Sequence, residues 1–256
     1  MSDQPIIFEE WKTGDGALIA VARLNTPKAL NSLSLEMIRL LTPQLKRWAE
    51  DPVIQAVWLE SEGDKAFCAG NDLKATAKGG KARPLPESGF AGLSWRWTLE
   101  KPFIAAVNGV AMGGGFETAL SCDIILASDQ ARFALPEVKV GFFAAASGVQ
   151  RLSRYIGRLA AQEMIYTGRT IDAAEALRLG CVNAVVPHAE LMDRALEKAA
   201  EICAVSPSAV KASKRVMNDL ARPEGLPDSI AHSRAVHADL SQTAECTEDG
   251  PAHTAA

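Results

Sequence analysis

KPFIAAVNGVAMGGGFETALSCDIILASDQARFALPE, residues Lys101 to Glu137, is the stretch whose reading decides the fold. Its apolar run Phe103 to Val107 predicts a strand, followed by a turn at Asn108-Gly109 and the three glycines Gly113, Gly114 and Gly115. Phe116, Thr118 and Ala119 then continue with helical spacing, and Glu117 falls in the first helical turn. A second apolar run, Ile124 to Ala127, predicts another strand, and Glu137 stands in a loop behind Pro136. Glycines entering a helix leave backbone N–H groups unpaired at the positive end of the macrodipole, where an anion or a developing oxyanion can sit. A glutamate beside such a site, with a second one a loop away, points to acid/base chemistry next to stabilised negative charge. Close packing and an acid favoured in a first helical turn would explain the same residues without chemistry. This stretch alone leaves both explanations open.

Upstream, Ile6 to Trp11 and Leu18 to Leu24 predict two strands joined by a hairpin at Gly14-Asp15-Gly16. A helix is expected from about Ser34 to Glu50, with Leu35, Ile38, Leu41, Leu45 and Trp48 at three- or four-residue spacing and Pro43 as a kink. Ala56 to Glu60 predicts a short strand, after which the chain turns through Gly63 and Gly70. Lys74 to Leu93 is rich in Gly, Pro and Lys without periodicity, and is expected to be a mobile flap. Downstream, helices are expected over Val149 to Gly157, Ala160 to Thr167, Ile171 to Gly180, His188 to Ala204 and Pro207 to Asp219, with one strand from Val182 to Val186. Ser206-Pro207 is a helix N-cap followed by proline at the first helical position. Strands alternating with helices up to residue 127 imply an α/β fold with parallel pairing.

The 256 residues suffice for one large domain with a helical appendage. The composition, 48% hydrophobic and 23% charged, is that of a globular protein, and a net charge of −4 without a long basic run argues against nucleic acid as a partner. Five scattered cysteines without a CxxC fit reduced thiols in a cytoplasmic protein, and Cys68 is expected to be buried rather than reactive. No secretory signal is seen before Trp11, and no apolar run reaches the roughly 20 residues needed to span a bilayer, so no membrane partner is expected.

Most familiar chemistries find no residues here. His188, His232, His237 and His253 are few and late, none at ligand spacing from Cys or Asp, so no metal is expected. No GxSxG elbow occurs, GGGFET lacks a P-loop lysine, and no GxGxxG opens a helix after the first strand. What survives is two glycine turns, Ala69-Gly70-Asn71-Asp72 and Gly113 to Gly115. If their strands are parallel neighbours, both turns lie at one edge of a sheet, where α/β ligand sites form. One N–H from each could then converge on a carbonyl oxygen, each donor worth about 3–4 kcal/mol at the transition state.

Together these residues resemble the crotonase (enoyl-CoA hydratase/isomerase) superfamily. The resemblance rests on AFCAGNDLKA (Ala66 to Ala75), KPFIAAVNGVAMGGGFETALSCD (Lys101 to Asp123), FALPEVKVGF (Phe133 to Phe142), RLSRYIG and YTGRTIDAAEALRLGCVNAVVP, over roughly residues 6 to 220. It is nearest to bacterial enoyl-CoA hydratases and carnitinyl-CoA dehydratases. It implies a spiral of repeated ββα units as the core, 1–190, and a C-terminal helical trimerisation region, 191–256. It further implies an oxyanion hole from the N–H groups of Asn71 and Gly114, with Glu117 and Glu137 as the catalytic pair. Coenzyme A would enter as part of the acyl-CoA substrate, without any other cofactor, against Ala66, Cys68, Ala69, Gly70, Asp72, Leu73, Lys74 and Gly113. The implied assembly is a homotrimer or a dimer of trimers.

The activity this implies is enoyl-CoA hydration. The alternatives are an isomerase or a carnitinyl-CoA-type dehydratase, and a catalytically weak acyl-CoA-binding paralogue. Two departures stand out. Where the family usually has a proline- and glycine-rich turn, this chain has Phe143-Ala144-Ala145-Ala146-Ser147-Gly148, and near its end it has Pro251-Ala252-His253 in place of the family's usual basic segment.

Overall fold

The computed structural model describes residues 4–13, 16–72, 86–96 and 99–220. The chain opens with the expected antiparallel pair, β1 (Ile6–Lys12) against β2 (Leu18–Leu24), with Ile6 opposite Leu24. Helix α1 (Leu35–Glu50) follows, and the Ser34 hydroxyl caps it by accepting the Met37 N–H at 3.2 Å. Its buried stripe of Met37, Ile38, Leu41, Leu45 and Trp48 turns toward the core. The helix runs through Pro43 as one element. Proline inside a helix costs about 3 kcal/mol, and each large apolar side chain buried on either side returns about 1.5–3 kcal/mol.

Three strand pairs then repeat one pattern: β3 (Ile54–Ser61) with β4 (Ala66–Cys68), β5 (Phe103–Val107) with β6 (Val110–Met112), and β7 (Ile124–Ser128) with β8 (Arg132–Ala134). Later come β9 (Ile171–Asp172) and β10 (Ala184–Val186). The first strand of each pair enters a six-stranded sheet of order β1-β2-β3-β5-β7-β10, and the second enters a four-stranded sheet of order β4-β6-β8-β9. Within the repeat every neighbour is parallel: β3 to β5 to β7 in one sheet, β4 to β6 to β8 in the other. Each turn of the chain therefore adds one strand to each sheet, which makes the spiral of ββα units that the sequence implied.

The helices are α2 (Gly114–Leu120), α3 (Gly148–Tyr155), α4 (Arg158–Thr167), α5 (Ala173–Leu179), α6 (Leu191–Cys203) and α7 (Pro207–Leu220). Strand β5 is buried at every position. Phe103, Ala105 and Val107 join the core shared with α1, while Ile104 and Ala106 pack with Leu191, Ala195 and Ala199 of α6. Coverage on both faces explains a strand without polar residues.

Three expectations shift. Ile171–Asp172 pairs with β8 instead of starting a helix, and the Asp172 carboxylate then caps α5 by accepting the Glu175 N–H at 2.8 Å. The strand expected from Val182 begins at Ala184, because Cys181 and Val182 are drawn into the core and the Asn183 N–H bonds the Ile125 carbonyl. Of the expected flap, 74–85 lie outside the described residues. Phe90, Ala91, Gly92 and Leu93 form a buried turn instead, because Gly92 packs directly on Thr42 of α1. Among the described residues no helix is long and apolar enough to cross a membrane.

Candidate active site

The first glycine turn is built by its neighbours. Asn31 is buried in the left-handed conformation with φ 54°, and its side-chain amide donates to the carbonyls of Glu62 at 3.0 Å and Ala66 at 2.8 Å. The Ala69 N–H donates to the Leu30 carbonyl at 3.0 Å. A parallel bridge joins Leu33 to Asn71: the Leu33 N–H donates to the Gly70 carbonyl at 2.8 Å and the Asp72 N–H to the Leu33 carbonyl at 3.1 Å. In such a bridge the central residue directs its own N–H to the opposite side of the strand. The N–H of Asn71 therefore faces away from Leu33.

The second turn follows β6. The Gly113 N–H donates to the Ala134 carbonyl at 3.0 Å, and Gly113, at φ 53° and ψ −127°, swings the chain into α2. Gly114 is the first residue of that helix, so its N–H has no intrahelical acceptor. The two turns touch through backbone. A Cβ on Gly70 would lie 3.2 Å from the Gly114 nitrogen and 2.9 Å from the Met112 carbonyl oxygen, and one on Gly115 would collide with the Cys68 carbonyl. Glycine at these positions is what lets β4 and β6 bring their ends together.

The two glutamates join this junction. Glu117 is 3% exposed, and its Oε1 accepts the Gly148 N–H at 2.8 Å; the Ala146 N–H also favours its ionised form. Burial raises its pKa well above the ordinary carboxylate range, the nearby charge of Glu137 raises it further, and the two N–H donors offset part of this. Glu137 sits in a short 3-10 turn, Pro136–Val140, and its Oε1 packs against the Cα of Gly113. Its Oε2 is buried and meets no hydrogen-bond partner among the described residues, and burial pushes the carboxyl up to about 7. A buried, unpartnered carboxylate oxygen beside the glycine junction is a place for a reacting molecule.

The other residues expected at the site are placed as follows. Ala66 is buried, with a carbonyl that takes the Asn31 amide and the Ser61 hydroxyl. Cys68 is wholly buried and its thiol is pushed up to about 12 by burial, the packing role expected of it. Ala69 and Asp72 are half-buried and Asn71 is exposed on the rim. Leu73 and Lys74 lie outside the described residues. Among the described residues no three His, Cys, Asp or Glu side chains gather as metal ligands.

Sequence reasoning missed three contributors. Asn31 carried one signal, since asparagine is among the few residues that tolerate a left-handed backbone. Phe90 packs its ring against Gly114, where a Cβ would come within 2.6 Å of Cε1. Ser147, left-handed at φ 84°, stands between the two N–H donors to Glu117.

One buried and one half-buried glutamate stand beside the paired glycine turns, at the junction of a ββα spiral. The profile of the enoyl-CoA hydratase/isomerase family matches residues 14–253, and the chain belongs to that family. It is 43% identical over 205 residues to a short-chain-enoyl-CoA hydratase of Clostridium acetobutylicum, covering 78% of this chain and 77% of the relative. It is 42% identical over 206 residues to a carnitinyl-CoA dehydratase of Proteus mirabilis, covering 79% of this chain and 78% of the relative. The crystal structure of a carnitinyl-CoA hydratase from Mycobacterium avium superposes with a TM-score of 0.85 at 34% identity, covering 96% of this chain and 93% of that one.

Proposed function

We propose that this protein is an enoyl-CoA hydratase that adds water reversibly across the 2,3-double bond of an acyl-CoA thioester. The observation that carries the proposal is the pair of Glu117, buried, and Glu137, half-buried, beside the Gly113 turn, with the Glu137 Oε2 buried and unpartnered among the described residues. Family membership and the hydratase and dehydratase relatives support it. In the forward direction the pair holds a water molecule and takes one of its protons as the oxygen bonds to C3. The displaced π electrons pass to the thioester oxygen, and the N–H groups of Asn71 and Gly114 hold the resulting enolate. A proton from the pair then closes the C2–H bond, and the carboxyls return to their starting state.

Coenzyme A arrives with the substrate, and no other cofactor takes part. Ala66, Cys68, Ala69, Gly70, Asp72, Leu73, Lys74 and Gly113 contribute the surface for the CoA ester. Residues 1–190 form the catalytic core, and 191–256 form a helical region for assembly as a homotrimer or a dimer of trimers in the cytoplasm.

The test is the loss of conjugated-enoyl absorbance when the purified protein meets crotonyl-CoA and longer 2-enoyl-CoAs. Rapid decay, abolished by Glu137→Gln, is the expected result. A second reading, dehydration of a 3-hydroxyacyl-CoA with a polar acyl group, is favoured by the carnitinyl-CoA dehydratase relative. It is distinguished by turnover of carnitinyl-CoA without turnover of crotonyl-CoA. Absence of turnover on every ester tried overturns both.

A further inference from the structure

The turn Ala144 to Gly148 holds a backbone conformation that its sequence does not favour. Ser147 is fully buried yet left-handed, at φ 84° and ψ 5°, a region where L-residues other than Asn, Asp and Gly are uncommon. Strain of this kind persists where surrounding structure enforces it, and it gathers at functional sites. The neighbours of Ser147 in the chain show what it achieves. On one side of it the Gly148 N–H bonds the Glu117 Oε1 at 2.8 Å, and on the other the Ala146 N–H also favours the ionised carboxylate. A left-handed residue between two N–H donors is the geometry of a nest, a backbone concavity that closes around an anion.

The turn is held from its other side as well. The Ser147 Oγ accepts from the Arg151 Nε at 3.0 Å, and the same guanidinium reaches the Leu120 carbonyl at 3.5 Å at the end of α2. Tyr155, one turn along α3, donates its hydroxyl to that carbonyl at 3.1 Å. The helix that carries Glu117 is thus latched to the turn that receives its carboxylate. There is no room for drift between them: a Cβ on Gly148 would lie 2.8 Å from the Glu117 Cγ.

We propose that Ser147 is a positioning residue for Glu117: its left-handed backbone aims the Ala146 and Gly148 N–H groups at the carboxylate, and its Oγ anchors the turn to α2 through Arg151. The proposal rests on the acid–base role assigned to Glu117 above. One charged group bears on Glu117 directly, and a second braces the turn that receives it. Glu137, on the 3-10 turn, adds like charge, and Arg151, on α3, ends on Ser147 and Leu120. The nest is therefore the feature that stabilises the ionised form of Glu117 against burial and against Glu137.

The experiment compares S147V, S147A and S147G by the infrared carboxyl band of Glu117, assigned by difference from E117Q, and by the pH profile of enoyl-CoA hydration. Valine resists the left-handed backbone, so S147V is expected to move the Glu117 titration upward. It should also lower kcat at neutral pH about tenfold while leaving KM within about threefold, because orientation of the acid changes more than ester binding. S147G adopts the conformation without strain but lacks the Oγ that Arg151 holds, so it is expected to bring the titration most of the way back toward its position in the unaltered protein. If far-UV circular dichroism shows S147V unfolded, S147A decides by the same comparison, with a smaller upward shift. An unmoved titration in folded S147V or S147A overturns the proposal, as does a shift in S147G equal to that in S147V. The infrared readout needs no turnover. Inactivity of the unaltered protein on every ester would sink the functional assignment, while the infrared comparison still decides the role of Ser147.

Discussion

Gly113 lies so close to Glu137 that a methyl group on its Cα would stand 2.9 Å from the carboxylate Oε1. The missing side chain is the floor on which this acid rests. Gly113 also has φ 53° and ψ −127°, a combination that side chains strongly disfavour. Gly113→Ala combines a collision with backbone strain, which costs about 1–3 kcal/mol by itself. The expected outcome is a lower melting temperature and at least a tenfold loss of kcat in crotonyl-CoA hydration. A variant with unchanged kcat would show that Glu137 is not held by this contact.

Glu117→Gln and Glu137→Gln preserve side-chain shape and remove the proton traffic. Each is expected to reduce kcat by about 10²–10⁴-fold, the range of a positioned acid or base, with near-native circular dichroism. Both carboxyls are raised: Glu117 well above the ordinary carboxylate range by burial and by the charge of Glu137, and Glu137 to about 7 by burial. The rate of the unaltered protein should accordingly fall on the acid side of about pH 7, where Glu137 takes up a proton. A profile flat from pH 5 to 8 would remove Glu137 from the chemistry.

The same shift has a stability consequence whose sign follows from linkage. Between the ordinary carboxylate range and about 7, the folded protein holds a proton on Glu137 that the unfolded chain has lost. Stability from this group is therefore present at low pH and declines as pH rises through that window. Glu137→Gln cannot ionise and escapes the decline. It is expected to be more stable than its parent at pH 8 by on the order of 1–2 kcal/mol, with the difference vanishing near pH 4.5. Urea unfolding at the two pH values measures this, and a parent more stable than the variant at pH 8 contradicts it.

How much of this was legible in the sequence depended on whether a feature was local. Strands β2 and β5 fall where the apolar runs place them, and Glu117 lands on the first turn of α2, because these follow from spacing and from glycine. The parallel pairing that unites the two glycine turns was readable only as a condition. The strands that realise it, β4 and β6, have three residues each, too few to show a period. Ile171–Asp172 joins a sheet solely because β8 offers it an edge. Ser147 and Ala91 adopt left-handed backbone under tertiary pressure, which no propensity of serine or alanine announces. Phe90 reaches Gly114 across a turn whose shape is set by contact with Thr42 of α1.

Asn31 tests whether that long-range bracing matters. Its amide donates to the carbonyls of Glu62 and Ala66, and its Oδ1 accepts the Thr26 N–H at 2.9 Å, so one side chain ties three segments behind the first glycine turn. Asn31→Ala removes the amide from the Glu62 carbonyl and the Thr26 N–H, leaves the Ala66 carbonyl with the Ser61 hydroxyl alone and keeps the left-handed strain, an expected loss of about 2–4 kcal/mol in urea unfolding. Asn31→Gly relieves the strain and restores none of the bonds, so it should recover no more than about 1 kcal/mol of that loss. If the amide also fixes the direction of the Asn71 N–H through Ala66 and the Leu33 bridge, both variants lower kcat more than they raise KM, because the enolate gains most from that donor. Full activity in a destabilised Asn31→Gly protein would separate the two roles and confine Asn31 to folding.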